Sequence, residues 1–157
     1  MRKQIIGARQ TEPIPWEEGW LDLEALARVE VTSEAPEYPV ENALLPGRRD
    51  GWRASAPGPQ TLRLLFDEPR ALMRVQLEFR ETVESRTQEL FLGWATGPGE
   101  EPREIVRQQW HFDPEGATRE DEDYRVELAR VGVLELVIVP DISHGDARAS
   151  LERLRVA

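Results

Sequence analysis

The run Met73-Arg74-Val75-Gln76-Leu77-Glu78-Phe79-Arg80 alternates apolar and polar side chains along its whole length. Successive side chains of a β-strand point to opposite faces, so this pattern buries one face and wets the other only if the chain is extended. Met73, Val75, Leu77 and Phe79 are expected to face inward. The same period appears earlier at Leu62, Leu64 and Phe66, and later at Leu90, Leu92 and Trp94, at Val106, Trp110 and Phe112, and at Tyr124, Val126 and Leu128. The segment VLELVIVP, 133–140, is almost wholly apolar and β-branched, as a strand covered on both faces would be. A last short strand is expected over 151–156. Turn signals separate the runs: DEPR, TGPGEEP, DPEGA, ARVG and DISHGD. Short strands spaced in this way indicate an all-β sandwich or barrel, not alternating βα units. Only LDLEALA, 21–27, suggests a helix, of one or two turns.

A chain of 157 residues suits one domain. The expected division is a sandwich over 29–157, preceded by an edge-wrapping arm with a short helix over 1–28, in which Trp16 and Trp20 pack. With no cysteine, disulfides, zinc-thiolate sites and a cysteine nucleophile are excluded. A formal charge of −10 repels phosphate backbones and anionic membranes, so neither nucleic acid nor membrane is an expected partner. The N-terminal MRKQIIGARQ offers only Ile5 and Ile6 as an apolar run, which leads to the expectation of a cytoplasmic protein.

The segment ALLPGRRDGW, from Ala43 to Trp52, resembles the first long loop of the discoidin superfamily, the galactose-binding-like modules that include coagulation-factor type C domains and bacterial carbohydrate-binding modules. VEVTSE before it, GPQTLRLLFDEPRALMRVQLEF after it and the closing ASLERLRV are similar to the family's strands in order and spacing. The resemblance implies an antiparallel jelly-roll β-sandwich. In many members that loop holds a structural calcium through an aspartate and a glutamate, oxygen ligands suited to a hard cation. Leu45 and Arg153 stand at the matching positions, so the resemblance implies a loop held without metal and no cofactor. Trp52 is then the loop's anchor and Gly47 its bend, with Arg48 and Arg49 facing solvent.

If consecutive strands run antiparallel, the connections at 33–59, 81–87, 113–118 and 141–148 share one end of the sandwich. Those at 67–70, 97–102 and 129–132 share the other. The first end is the chemically richer, and binding residues concentrate on loops held by a rigid scaffold. Its candidate ligand-binding residues are Tyr38, Arg86, Gln88, His111, His144 and Asp146. An aromatic face suits sugar C–H groups, and planar polar side chains suit paired hydroxyls. Arg86 and His144 are expected to line one cleft. Ser143, His144 and Asp146 are neighbours in one turn, which is not the geometry of a catalytic triad, and the two histidines lack metal-ligand spacing, so no enzymatic activity is expected. The expected function is non-catalytic binding of a carbohydrate or similar polyhydroxylated ligand. The alternative is an intracellular protein-protein interaction domain on the same scaffold.

Overall fold

The computed structural model describes residues 19–157; the expectations for the arm before Gly19, Trp16 included, lie outside the described residues. In chain order the elements are α1 (Leu23–Leu26), β1 (Ala27–Val31), α2 (Glu41–Leu44), β2 (Trp52–Pro57), β3 (Gln60–Arg80), β4 (Arg86–Ala95), β5 (Arg103–Phe112), β6 (Arg119–Val139), β7 (Arg148–Leu151) and β8 (Arg153–Val156). The single turn of α1 falls within the expected helix. Its Asp22 side chain accepts from the Ala25 amide, as a helix N-cap should. The second short helix, α2, was not expected.

The architecture is set by β3 and β6, which pair antiparallel from Gln60↔Ile138 to Arg80↔Arg119. Held straight, β3 would span about 65 Å at the usual strand rise. Yet the Arg86 guanidinium bonds both Glu81, just past one end of the ribbon, and the Pro140 carbonyl, just past the other. The ribbon therefore folds back on itself. The fold lies at the register shifts between Leu65 and Arg74, where Pro69 offers no ladder donor. The expected turns at 67–70 and 129–132 are thus bends inside two continuous strands. One layer holds β1, the first half of β3, the second half of β6, β4 and β5; the other holds the remaining halves of β3 and β6 with β8, extended by the β2–β7 pair. The result is an antiparallel jelly-roll β-sandwich.

Leu62, Leu64, Leu90, Leu92, Leu134, Leu136 and Ile138 from one layer meet Val75, Leu77, Phe79, Leu154 and Val156 from the other in a single core. The alternation corrects in one place: Met73 is 56% exposed, and Leu72 is buried instead. The amides of Met73 and Arg74 both donate to the Ala157 carbonyl, at 2.7 and 3.0 Å. That bulge takes up one residue and reverses the facing of everything before it. The last strand is likewise broken at Glu152, whose amide donates to the Glu78 carbonyl.

The loop after α2 is built as a structural element. Trp52 is buried and its indole N–H donates to the Ser33 carbonyl at 2.9 Å, while Leu45 packs against the core. Gly47 takes a left-handed φ of 79°, and Arg48 and Arg49 are exposed. Trp20 lies between the guanidinium groups of Arg74 and Arg155, at 4.7 and 4.8 Å.

Candidate functional site

The two ends of the sandwich divide the connections as the alternation of strands requires. At the far end, the bends stand beside the 97–102 loop, where Gly132 packs so closely on the Thr96 carbonyl that no Cβ would fit. At the near end the Glu81 amide donates to the Thr118 carbonyl and the Ile142 amide to the Thr87 carbonyl, which ties three loops together.

A cleft of about 340 Å³ opens at this near end. One wall is the β2–β7 pair. Trp52 and Leu151 pair and point into the core, so their neighbours Arg53 and Ser150, also paired, point out into the cleft with Arg148. The opposite wall is Arg80 with Thr82, Val83 and Glu84 from the loop between β3 and β4. Asp50, Asp146 and Glu152 complete the lining. Asp50 and Gly51 both have left-handed φ, 72° and 63°, and a Cβ on Gly51 would lie 2.5 Å from the Leu151 carbonyl. Only glycine lets β2 start this close to β7.

Arg86 holds the second wall in place. It is 3% exposed, and its guanidinium donates to Glu81 at 2.7 Å, to the Pro140 carbonyl at 2.6 Å and to Gln88 at 3.4 Å, while stacking 4.9 Å from the Phe112 ring. Burial pushes the Glu81 carboxyl up, but the bonds from Arg86 and from the amides of Val83 and Glu84 outweigh it and hold the group below its ordinary range. Glu81 therefore stays ionised, folding the loop around its own side chain. By contrast, Arg53, Arg80, Arg148, Asp50, Glu84, Asp146 and Glu152 make no salt bridge among the described residues. Charged donors and acceptors are available there in one concavity, on a frame fixed by backbone pairing.

The six candidates fall into three groups. Asp146 lines the cleft, and Tyr38 stands behind it, its ring 4.8 Å from the Arg53 guanidinium. His144, at a left-handed φ of 66°, and His111 are exposed near the same end. The His111 ring sits on the outer face of β5, with Nδ1 2.8 Å from the Thr87 hydroxyl. Arg86 and Gln88 are corrections: both are buried, at 3% and 1%, and their polar groups are spent inside the protein. The expected pairing of Arg86 with His144 across a cleft fails for this reason, since Arg86 lies beneath the loops. Arg53, Arg80, Arg148 and Ser150 were missed. For Arg148 and Ser150 the signal was the alternation Ala147-Arg148-Ala149-Ser150-Leu151, in which small buried residues leave the polar ones facing out, and Arg53 and Arg80 stand likewise beside buried Trp52 and Phe79.

No protein-family model matches the sequence, and no curated protein gives a significant match. Solved structures do match. A family 32 carbohydrate-binding module of NanJ from C. perfringens, in complex with galactose, is 12% identical with a TM-score of 0.64, over 87% of this chain and 96% of that one. A module of the same family from a Clostridium perfringens family 31 glycoside hydrolase is 17% identical, TM-score 0.65, over 92% and 98%. Reduced XRCC1, bound to the catalytic domain of DNA polymerase β, is 18% identical, TM-score 0.59, over 84% and 97%. At such identities the likeness is one of fold, the antiparallel β-sandwich that these structures share with this chain.

Proposed function

We propose that the chain is a non-catalytic carbohydrate-binding module whose binding surface is the cleft between the β2–β7 pair and the loop after β3. The observation that carries this reading is the set of guanidinium, carboxylate and hydroxyl groups of Arg53, Arg80, Arg148, Asp146, Glu152 and Ser150 in one concavity, the charged ones without a salt bridge among the described residues. A guanidinium donates two parallel bonds to adjacent hydroxyl oxygens, and a carboxylate accepts from them, so together they read a diol edge. The solved galactose complex of a module with this fold supports the reading. The test is a glycan array followed by calorimetric titration of any hit, with galactose titrated directly. Arg148→Ala and Asp146→Ala are expected to abolish binding with the melting temperature unchanged. Binding that survives both substitutions would remove the cleft from the account.

A second reading, docking of a protein, is favoured by Val83, which is 79% exposed at the rim, and by exposed Ile142 on the neighbouring loop. Among the described residues, the one aromatic side chain lining the cleft, Trp52, is buried. An array with no glycan hit, together with a partner lost on Val83→Asp, would favour this second reading.

A further inference from the structure

On the inner face of the sandwich, where β5 meets the first half of β6, a buried acid, Glu120, stands beside a half-buried one, Glu122. Glu120 is 1% exposed and accepts from Gln88 Nε2 at 3.1 Å and from Gln108 Nε2 at 3.3 Å. Gln108 also donates to Glu122, two residues along the same strand face, and the Tyr124 hydroxyl donates to Gln108 at 2.8 Å. Of the elements packed around them, β3 contributes Phe79, opposite Glu120, and Leu77, opposite Glu122, β5 contributes Trp110 beside Gln88, and β4 contributes Gln88 with the Arg86 guanidinium bonded behind it. Neither acid has a salt-bridge partner among the described residues. Two carboxylates so placed do not both ionise readily, and one retains a proton. Burial, then the hydrogen bond and charge of Glu122, push Glu120 up to about 8. Burial and the two carboxylates also raise the Tyr124 phenol, so it stays neutral through the same interval.

This pair is wired to the cleft. Glu120 accepts from the Gln88 amide, the oxygen of that amide accepts from Arg86, and Arg86 holds Glu81, around which the amides of Val83 and Glu84 are folded. We infer that the Glu120–Glu122 pair is a proton-operated latch on the 81–84 wall of the cleft, closed while the pair keeps its proton and loosened when the proton leaves to solvent. The second negative charge repels Glu122 and draws on the Arg86 guanidinium, in competition with Glu81 and the Pro140 carbonyl. The sign follows: the ordered wall is fully present below the transition and lost as pH rises through it. The latch regulates binding only if the cleft binds carbohydrate as proposed above, but its action on the loop stands apart from any ligand.

The chain is suited to the experiment. It has no cysteine, Lys3 is its single lysine, and it has only two tyrosines, so few groups besides Glu120 and an α-amino group change charge between pH 7 and about 9.5. The measurement is amide-water exchange by NMR at Val83 and Glu84, corrected for intrinsic rates, with the Glu120 side-chain carbon followed in parallel. Protection is expected to fall about tenfold across the Glu120 titration, the change that one pKa unit of coupling produces. Glu120→Gln, fixed neutral, is expected to keep protection constant. Gln88→Met is expected to leave Glu120 titrating while the loop no longer responds, which keeps the inference open to test if Glu120→Gln does not fold. Protection that is flat in the native chain, or that falls equally in Gln88→Met, overturns the latch. An array with no glycan hit alongside the expected exchange profile would instead overturn the carbohydrate reading and leave the latch standing.

Discussion

Replacing Arg86 by methionine keeps most of the side-chain length and its packing under Phe112 while removing every donor. The loss has two parts. The Pro140 carbonyl is left buried without its 2.6 Å partner, and Glu81 loses a charged bond of 2.7 Å. Removing one member of a buried ion pair costs about 3–5 kcal/mol. Glu81 retains two backbone amides and a side chain 15% exposed, which places the expected loss near the lower bound, about 3 kcal/mol. For a chain of this length that is a fall of about 10 °C in Tm. The pH dependence is the sharper mark. In the native chain Glu81 has a depressed pKa, so its contribution is fully present above the unfolded value and is lost as pH falls through the folded one. Without Arg86, burial is opposed only by the two backbone amides and the carboxyl titrates higher than in the native chain, so the variant should be least stable relative to native at neutral pH. The difference should shrink as both are acidified and Glu81 is protonated. Urea unfolding of the two proteins from about pH 3.5 to pH 7 measures this. A difference under about 1 kcal/mol, or one that does not change with pH, would refute the clamp.

The glycines give a matched pair: Gly51→Ala should cost about 2–4 kcal/mol, since it adds a backbone clash to an unfavourable φ, whereas Gly47→Ala, with open space around it, should cost only about 1 kcal/mol. Equal denaturation midpoints would show that the turn before β2 is not tight. Phe79→Ala should cost about 3–5 kcal/mol and Met73→Ala under about 0.5, the reverse of which would remove the bulge from β3. Millimolar calcium or excess chelator should leave the thermal midpoint unchanged, because Leu45 packs on the core and offers no ligand oxygen; a reproducible rise with calcium would show a site that folding completes.

The strands were legible because the burial of one sheet face writes a period of two into the sequence. The order of the loops about the two ends was legible too, because antiparallel neighbours leave no other arrangement. The break at Met73 was not: a bulge is a matter of two amides finding one carbonyl, and no residue type announces it. The continuity of β3 through DEPR was hidden as well, since a proline and two acids read equally as a turn or as a bend with an unpaired donor. At the site, reasoning from side-chain type chose Arg86 for its donors. Whether an arginine faces a ligand or a neighbouring carboxylate depends on how its own connection folds back to bring Glu81 to it and on a tertiary contact with Pro140, on another connection. Arg53 and Arg148 carried the same chemistry and were placed outward by the simple alternation beside Trp52 and Leu151.

Because one bent ribbon supplies strands to both layers, the two sheets cannot form independently. Arg80 and Arg119 are the nearest in sequence of the β3–β6 partners, and Gln60 and Ile138 the most distant, so the smallest loop closes first and each further rung encloses a longer one. Assembly should then zip from the cleft end of one layer, through the bend, and back to the cleft end of the other, at the slow rates typical of non-local β pairing. The cleft would thus receive its first and its last wall at opposite ends of the same event, and a chain stalled at the bend would have half a binding site and an open sheet edge.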